Sequence, residues 1–282
     1  MNVRLLAPGD EAVLEAFLAV HRDSSMFLRG NARSAGLAYH GQHGQAIYAA
    51  AFRDSSVTGV VAHCWNGMIL VQAPGQVAAI ARACVERSAR NVTGLAGPRE
   101  QVVEARSALG LDAARTTLDG GEGLYALQLA DLVVPAVLSN GTIACRPPLP
   151  EEREMLRAWR LAYDIELLGA TDSPETRQRS AEFLDAQIDG GNAWVAVADG
   201  APVSLSAFNA TLPDIVQLGG IYTPPELRGR GFAKVAVAAS LLIAGDRGAS
   251  RAVLFTDNPS AVRTYEALGF RRVGDYALVL FQ

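Results

Sequence analysis

Residues 226–233, Glu-Leu-Arg-Gly-Arg-Gly-Phe-Ala, stand between a strand-like run, Ile215–Tyr222, and a helix-like run over residues 232–244. A turn so placed suits an anion. Gly229 and Gly231 let the backbone approach a ligand closely, and the first amides of the following helix lack helical partners and point toward it. Arg228 and Arg230 add positive charge in a planar fork that matches phosphate oxygens. The expected fold is therefore α/β (α+β), with a strand delivering the chain to a site for a diphosphate-bearing ligand.

Two such ligands are disfavoured. A nucleoside triphosphate loop needs Gly-Lys-Ser/Thr, whereas Gly231 is followed by Phe-Ala-Lys. A dinucleotide fingerprint needs a third glycine and further strand repeats, for which too little chain remains. Coenzyme A is the diphosphate ligand left to test.

A second segment narrows the choice. Arg251–Thr256 reads as a buried strand, Asp257-Asn258-Pro259 opens a helix over 260–268, and Gly269 ends it. Asn258 and Tyr265 are seven residues apart, about two helical turns, and can face the same way. The set Arg228-x-x-Gly231-x-Ala233, then Asn258, then Tyr265 with Ala267-Leu268-Gly269-Phe270, resembles the GNAT superfamily of acyl-CoA-dependent N-acetyltransferases. The resemblance covers roughly residues 142–282.

That resemblance implies acetyl-CoA as cofactor, its pantetheine arm lying between two splayed strands, here Ile215–Tyr222 and Arg251–Thr256. Backbone groups of Ile221, Tyr222 and Thr223 would hold the thioester. Arg228, Gly229, Arg230, Gly231, Phe232 and Ala233 would hold the pyrophosphate, and Tyr265 would protonate the leaving thiolate. Gly219-Gly220 either bends the first strand or permits tight backbone packing. Asn258 is either a cofactor contact or a plain helix cap, and Tyr265 read without the motif would be an ordinary core tyrosine. No histidine lies in this half of the chain, so Glu166 and Asp214 are the candidate bases; Asp164 and Glu166 could equally bind a cationic acceptor or be solvated.

The first half carries a faint copy of the second. Residues 102–111 align with 261–270 through a shared Ala-Leu-Gly, and a strand (67–72) and helix (76–87) precede them, but Ala73-Pro74-Gly75 replaces the Arg-Gly-Arg-Gly loop. Arg99 and Arg106 stand where Asn258 and Tyr265 do. The expectation is two tandem acyl-CoA N-acyltransferase-like lobes, each a mixed, mostly antiparallel sheet flanked by helices: a degenerate lobe over 1–135 and a catalytic one over 142–282. Residues 123–129 would end the first sheet and 273–281 the second, with helices over 151–163 and 174–188 between.

Net charge is −4 and half the residues are hydrophobic, which leaves no basic footprint for nucleic acid and no polybasic membrane patch. The start of the chain shows no basic stretch ahead of an apolar core, and the longest apolar run, 235–245, is too short to span a bilayer. Three scattered cysteines suit free thiols in a cytoplasmic protein. His40 and His43 have metal spacing but no matching ligand set, so no metal is expected. The expected function is acetyl transfer to a primary amine, on a small molecule or a peptide, in a direct ternary complex. The alternatives are a non-catalytic acyl-CoA sensor or scaffold, and an acyltransferase with another acyl donor or a thiol or hydroxyl acceptor. A homodimer is left open.

Overall fold

A computed structural model describes residues 2–282. They form two compact units: the chain up to Leu124 together with Val273–Gln282, and Tyr125–Arg272.

In the first unit the elements are β1 (Asn2–Leu5), α1 (Glu11–Val20), α2 (Met26–Ala35), β2 (Ala46–Arg53), β3 (Ser56–Cys64), β4 (Met68–Gln72), α3 (Val77–Ser88), β5 (Gly94–Pro98) and α4 (Arg99–Ala108). Strands β1 to β4 are antiparallel neighbours, and β5 runs parallel to β4. The core follows from periodicity. Val77, Ile80, Ala81 and Cys84 of α3 recur at i, i+3, i+4 and i+7 and are fully buried against Ala49, Val61 and Ile69.

The second unit repeats this order. After β6 (Thr116–Gln128) and the short α5 (Ala136–Ser139) come β7 (Ala144–Arg146), α6 (Arg153–Leu168), α7 (Pro174–Asp189), β8 (Ala193–Ala198), β9 (Ala201–Thr211), β10 (Ile215–Tyr222), α8 (Phe232–Asp246), β11 (Arg251–Thr256) and α9 (Pro259–Glu266). The sheet runs β7-β8-β9-β10-β11, antiparallel except for the parallel pair β10 and β11. Helix α8 buries Val237, Ala238 and Leu241 against Val216 and Leu218 on one face of the sheet. Leu156 of α6 and Leu184 of α7 pack on the other face, with Val195, Leu205 and Ala207. Burying each such leucine stabilises by roughly 1.5–3 kcal/mol.

The strands expected to end each lobe are arranged differently. The last strand, β12 (Arg271–Phe281), is antiparallel to β5 with Ala277 opposite Gly97, so it belongs to the first unit's sheet and does not close the second. Conversely Tyr125 and Leu127, late in β6, sit in the second unit's core with Leu254 and Phe270. Both strands end in a continuous apolar run, Leu124 to Leu127 and Tyr276 to Phe281, so local pattern could not assign them to a sheet. Helix α6 also begins later than expected and runs further, to Leu168, where Gly169 caps it in the left-handed region.

In the first unit the corresponding strands stay together. A Cβ at Gly97 would lie 2.5 Å from the Val71 carbonyl oxygen, so β4 and β5 stay in close contact beyond their last paired rung. Gln101 Oε1 accepts from the Ala73 amide at 2.6 Å, and Glu104 Oε1 accepts from the Ala78 amide, near the start of α3, at 3.3 Å. Arg106, aligned with Tyr265, is paired with Asp119 at 2.7 Å.

Candidate active site

In the second unit the parallel pair opens. Ile215, Val216 and Gln217 pair with Arg251, Ala252 and Val253, and β10 then continues against β9 alone. Two irregularities accompany the parting. One lies between Gln217 and Leu218, where β9 carries Asn209 as an extra residue; the other lies between Gly219 and Tyr222. Each open reading of the paired glycines is met by one of them. Gly220 adopts φ +66° at the bend. Gly219 makes room for a neighbour: a Cβ there would lie 1.9 Å from Asn209 Nδ2.

Beyond the parting, Ile221 and Thr223 are half-buried and Tyr222 is buried. Two carbonyls there are already engaged. Ser204 Oγ donates to Tyr222 O at 3.1 Å, and Arg228 Nε donates to Thr223 O at 2.9 Å. Thr223 Oγ1 lies 2.8 Å from Ser204 Oγ, which fixes this end of β10 to β9.

The loop has the geometry its glycines suggested. Gly229 (φ +76°) and Gly231 (φ +81°) are left-handed, and nothing lies within 4 Å of where a Cβ would stand on either. Gly231 caps α8, and its carbonyl accepts from the Val235 amide at 3.2 Å. The amides of Phe232, Ala233 and Lys234 therefore precede the first intrahelical bond, where a helix N-terminus attracts anions. Arg230 is exposed beside them.

Arg228 is placed differently from Arg230. Its Nη1 and Nη2 donate to both carboxylate oxygens of Glu166, each at 2.7 Å. The guanidinium holds the Glu166 carboxyl below the usual carboxylate range. A carboxylate with both oxygens engaged and lowered basicity is a poor proton acceptor, which weighs against Glu166 as the base. Asp214 is also misplaced. It precedes β10, its backbone carbonyl accepting from the Ser250 amide at 3.0 Å, whereas the loop follows the strand's far end, about 25 Å away at strand rise.

Asn258 Oδ1 accepts from the Ser260 and Ala261 amides at 2.9 and 3.3 Å, so it caps α9 ahead of Pro259. Tyr265, on the same helix, is 7% exposed, with its ring edge-on to Phe270 at 5.8 Å. Burial, with nearby Tyr163, pushes its phenol above the ordinary value, so the hydroxyl keeps its proton. It donates to no group among the described residues, which leaves a neutral donor free for a ligand.

A polar cluster that sequence reasoning passed over lies between α6, α7 and β10. Buried Arg160 pairs with buried Asp164 at 2.8 Å, Ser180 Oγ donates to Asp164 Oδ2 at 2.5 Å, and Arg160 Nη1 would be 3.2 Å from a Cβ on Gly220. Gln187 Nε2 donates to Asn209 Oδ1 at 3.3 Å. The legible signals were Arg160 and Asp164 at i, i+4 and a glutamine inside the apolar strand Ile-Val-Gln-Leu. In the first unit, His43 packs its ring on Trp65 at 4.5 Å.

Residues 154–270 match the acetyltransferase (GNAT) family. That segment, less than half of the chain, is similar to the GNAT acetyltransferases. Mycothiol acetyltransferase of Rhodococcus erythropolis is 31% identical over 187 residues, covering 62% of this chain and 60% of that protein. The chain thus spans about 60% of the length of the curated relatives it matches. A GCN5-related N-acetyltransferase from Kribbella flavida has the same fold over 92% of this chain and 94% of its own, at 18% identity and a TM-score of 0.59. A tandem GNAT protein from the clavulanic acid biosynthesis pathway matches over 99% and 97% of the two chains, at 16% identity and a TM-score of 0.56. The GNAT fold of this chain is accordingly a tandem one.

Proposed function

We propose that this chain is an acyltransferase that moves an acetyl group from acetyl-CoA to a primary amine in a direct ternary complex within the second unit. The observation that carries the reading is the parting of β10 from β11 after the Gln217–Val253 rung, between a helix N-terminus free to bind anions and a buried tyrosine whose hydroxyl keeps its proton. Acetyl-CoA, when bound, supplies an activated acyl carbon and a thiolate leaving group. The amides of Phe232, Ala233 and Lys234, with Arg230, hold the pyrophosphate. The backbone at Ile221 to Thr223 aligns the thioester in the opening. As the amine forms the C–N bond and the C–S bond breaks, Tyr265 would give its proton to the departing sulfur, and the proton lost by the amine nitrogen, passed through water, would restore the phenol. Asn258 serves this arrangement by fixing the start of α9, and Arg228 by tying the loop to α6.

The test is release of free CoA thiol from acetyl-CoA as a function of added amine. Release that rises with amine concentration and yields N-acetylated product supports transfer. A clear thermal shift with acetyl-CoA but no turnover across a broad panel would favour an acyl-CoA-binding sensor. Mycothiol-related compounds belong on that panel, because the curated relatives are called mycothiol acetyltransferases.

A further inference from the structure

Where β10 leaves β11 after the Gln217–Val253 rung, each strand loses a neighbour along one edge. Main-chain groups on such edges gain hydrogen bonds by pairing again, so an opening between two strands lasts only if one of them is held elsewhere. Past the irregularity between Gly219 and Tyr222, the register of β10 on β9 resumes with one pair, Tyr222 opposite Leu205.

Ser204 reinforces that pair. Leu205 and Ala207 pack toward α6 and α7, whereas Ser206 Oγ lies 3.0 Å from Ser240 Oγ of α8, so Ser204 stands on the α8 side of β9. It is fully buried, where a hydroxyl costs stability unless it is bonded. Two groups meet it, Tyr222 O at 3.1 Å and Thr223 Oγ1 at 2.8 Å. The serine has one proton, which it donates to the carbonyl, so the threonine hydroxyl donates to Ser204 Oγ. The relay runs from Thr223 through Ser204 to the Tyr222 carbonyl and grips two successive residues of β10. Thr223 O in turn accepts from Arg228 Nε at 2.9 Å, which carries the hold into the glycine loop.

We infer that Ser204 is a positioning residue: through the Thr223 hydroxyl and the Tyr222 carbonyl it keeps the end of β10 on β9, and so keeps the opening beside β11 apart. This role rests on the acyl-CoA reading of that opening. Without the tether the end of β10 can swing toward β11, and affinity falls by the fraction of molecules that stay open. A bound ligand itself holds the strands apart, so the rate at saturation is spared. A group that acts on the departing sulfur has the reverse signature.

Calorimetric titration with CoA, and thiol release at varied acetyl-CoA, test this on wild type, Ser204→Ala, Thr223→Val, Thr223→Ser and the Ser204→Ala/Thr223→Val double variant. Ser204→Ala should raise the Kd for CoA and the KM for acetyl-CoA by about tenfold, the scale of one or two hydrogen bonds, with kcat within about twofold. Thr223→Val should show a smaller loss, which Thr223→Ser recovers by returning the hydroxyl. The double variant should bind no more weakly than Ser204→Ala, because both hydroxyls belong to one relay. Should Ser204→Ala fail to fold, the two Thr223 variants carry the test at a half-buried position. A Kd equal to wild type in either folded loss variant overturns the inference, as do losses that add in the double variant. The expected shifts in CoA binding without turnover leave the positioning role standing and remove acetyl transfer. Wild type that takes up no CoA overturns both.

Discussion

Arg228 and Glu166, sixty-two residues apart, meet through two hydrogen bonds of 2.7 Å, joining the phosphate-type loop to the end of α6. Both side chains are near 40% exposed, so the pair stabilises the fold by about 1 kcal/mol at most.

Glu166→Gln should therefore change the melting temperature only slightly. Turnover should stay within about threefold of wild type, because loss of a true general base would cost about 10²–10⁴-fold. Steady-state thiol release measures this. The folded-state pKa of Glu166 is lowered, so the pair's small contribution is present above the ordinary carboxylate range and is lost as pH falls through the folded value. The variant and wild type should accordingly converge in stability at acid pH.

Gly219 and Asn209 are a steric pair. Gly219→Ala places a methyl group 1.9 Å from Asn209 Nδ2, and should destabilise by about 1–3 kcal/mol as that side chain is displaced from Gln187. In Asn209→Ala the same change should cost less. Denaturant melts of the two single variants and the double should show coupling of about 0.5 kcal/mol or more.

The chain should take up one equivalent of CoA. Gln101 and Glu104 accept from the Ala73 and Ala78 amides in the first unit, and a Cβ on Gly97 would meet the Val71 carbonyl, so β4 and β5 stay together where β10 and β11 part. Calorimetric titration should give a stoichiometry near one. Gly231→Ala, forced into the left-handed region at a cost of about 1 kcal/mol, should weaken that single event. A second equivalent of similar affinity would contradict that expectation.

Much of the second unit was legible because its signals are local. A strand, a Gly-x-Gly turn and a helix announce themselves within twenty residues, and β10 and β11 fall where the apolar runs put them. Asn258 was legible as a cap from Asn-Pro. Partnerships over long separations were not. Nothing near Glu166 announces Arg228, and nothing in 271–281 says that its partner is β5, since strand pairing is a property of the whole chain. Gln217 is the instructive miss. A glutamine flanked by Ile, Val and Leu in a buried strand is an anomaly that composition alone displays.

Tyr265 carries the central claim, that a buried phenol held protonated beside the parted strands neutralises the departing thiolate. Its raised pKa means that ionisation of this residue should leave turnover undiminished up to about pH 10, whereas stability should decline at more alkaline pH, as an unfolded tyrosine ionises first. The most direct measurement is single-turnover thiol release by Tyr265→Phe, with acetyl-CoA affinity determined on the same sample. The expected result is a rate lower by about 10²-fold with affinity nearly unchanged. A rate equal to wild type, at equal affinity, would contradict it.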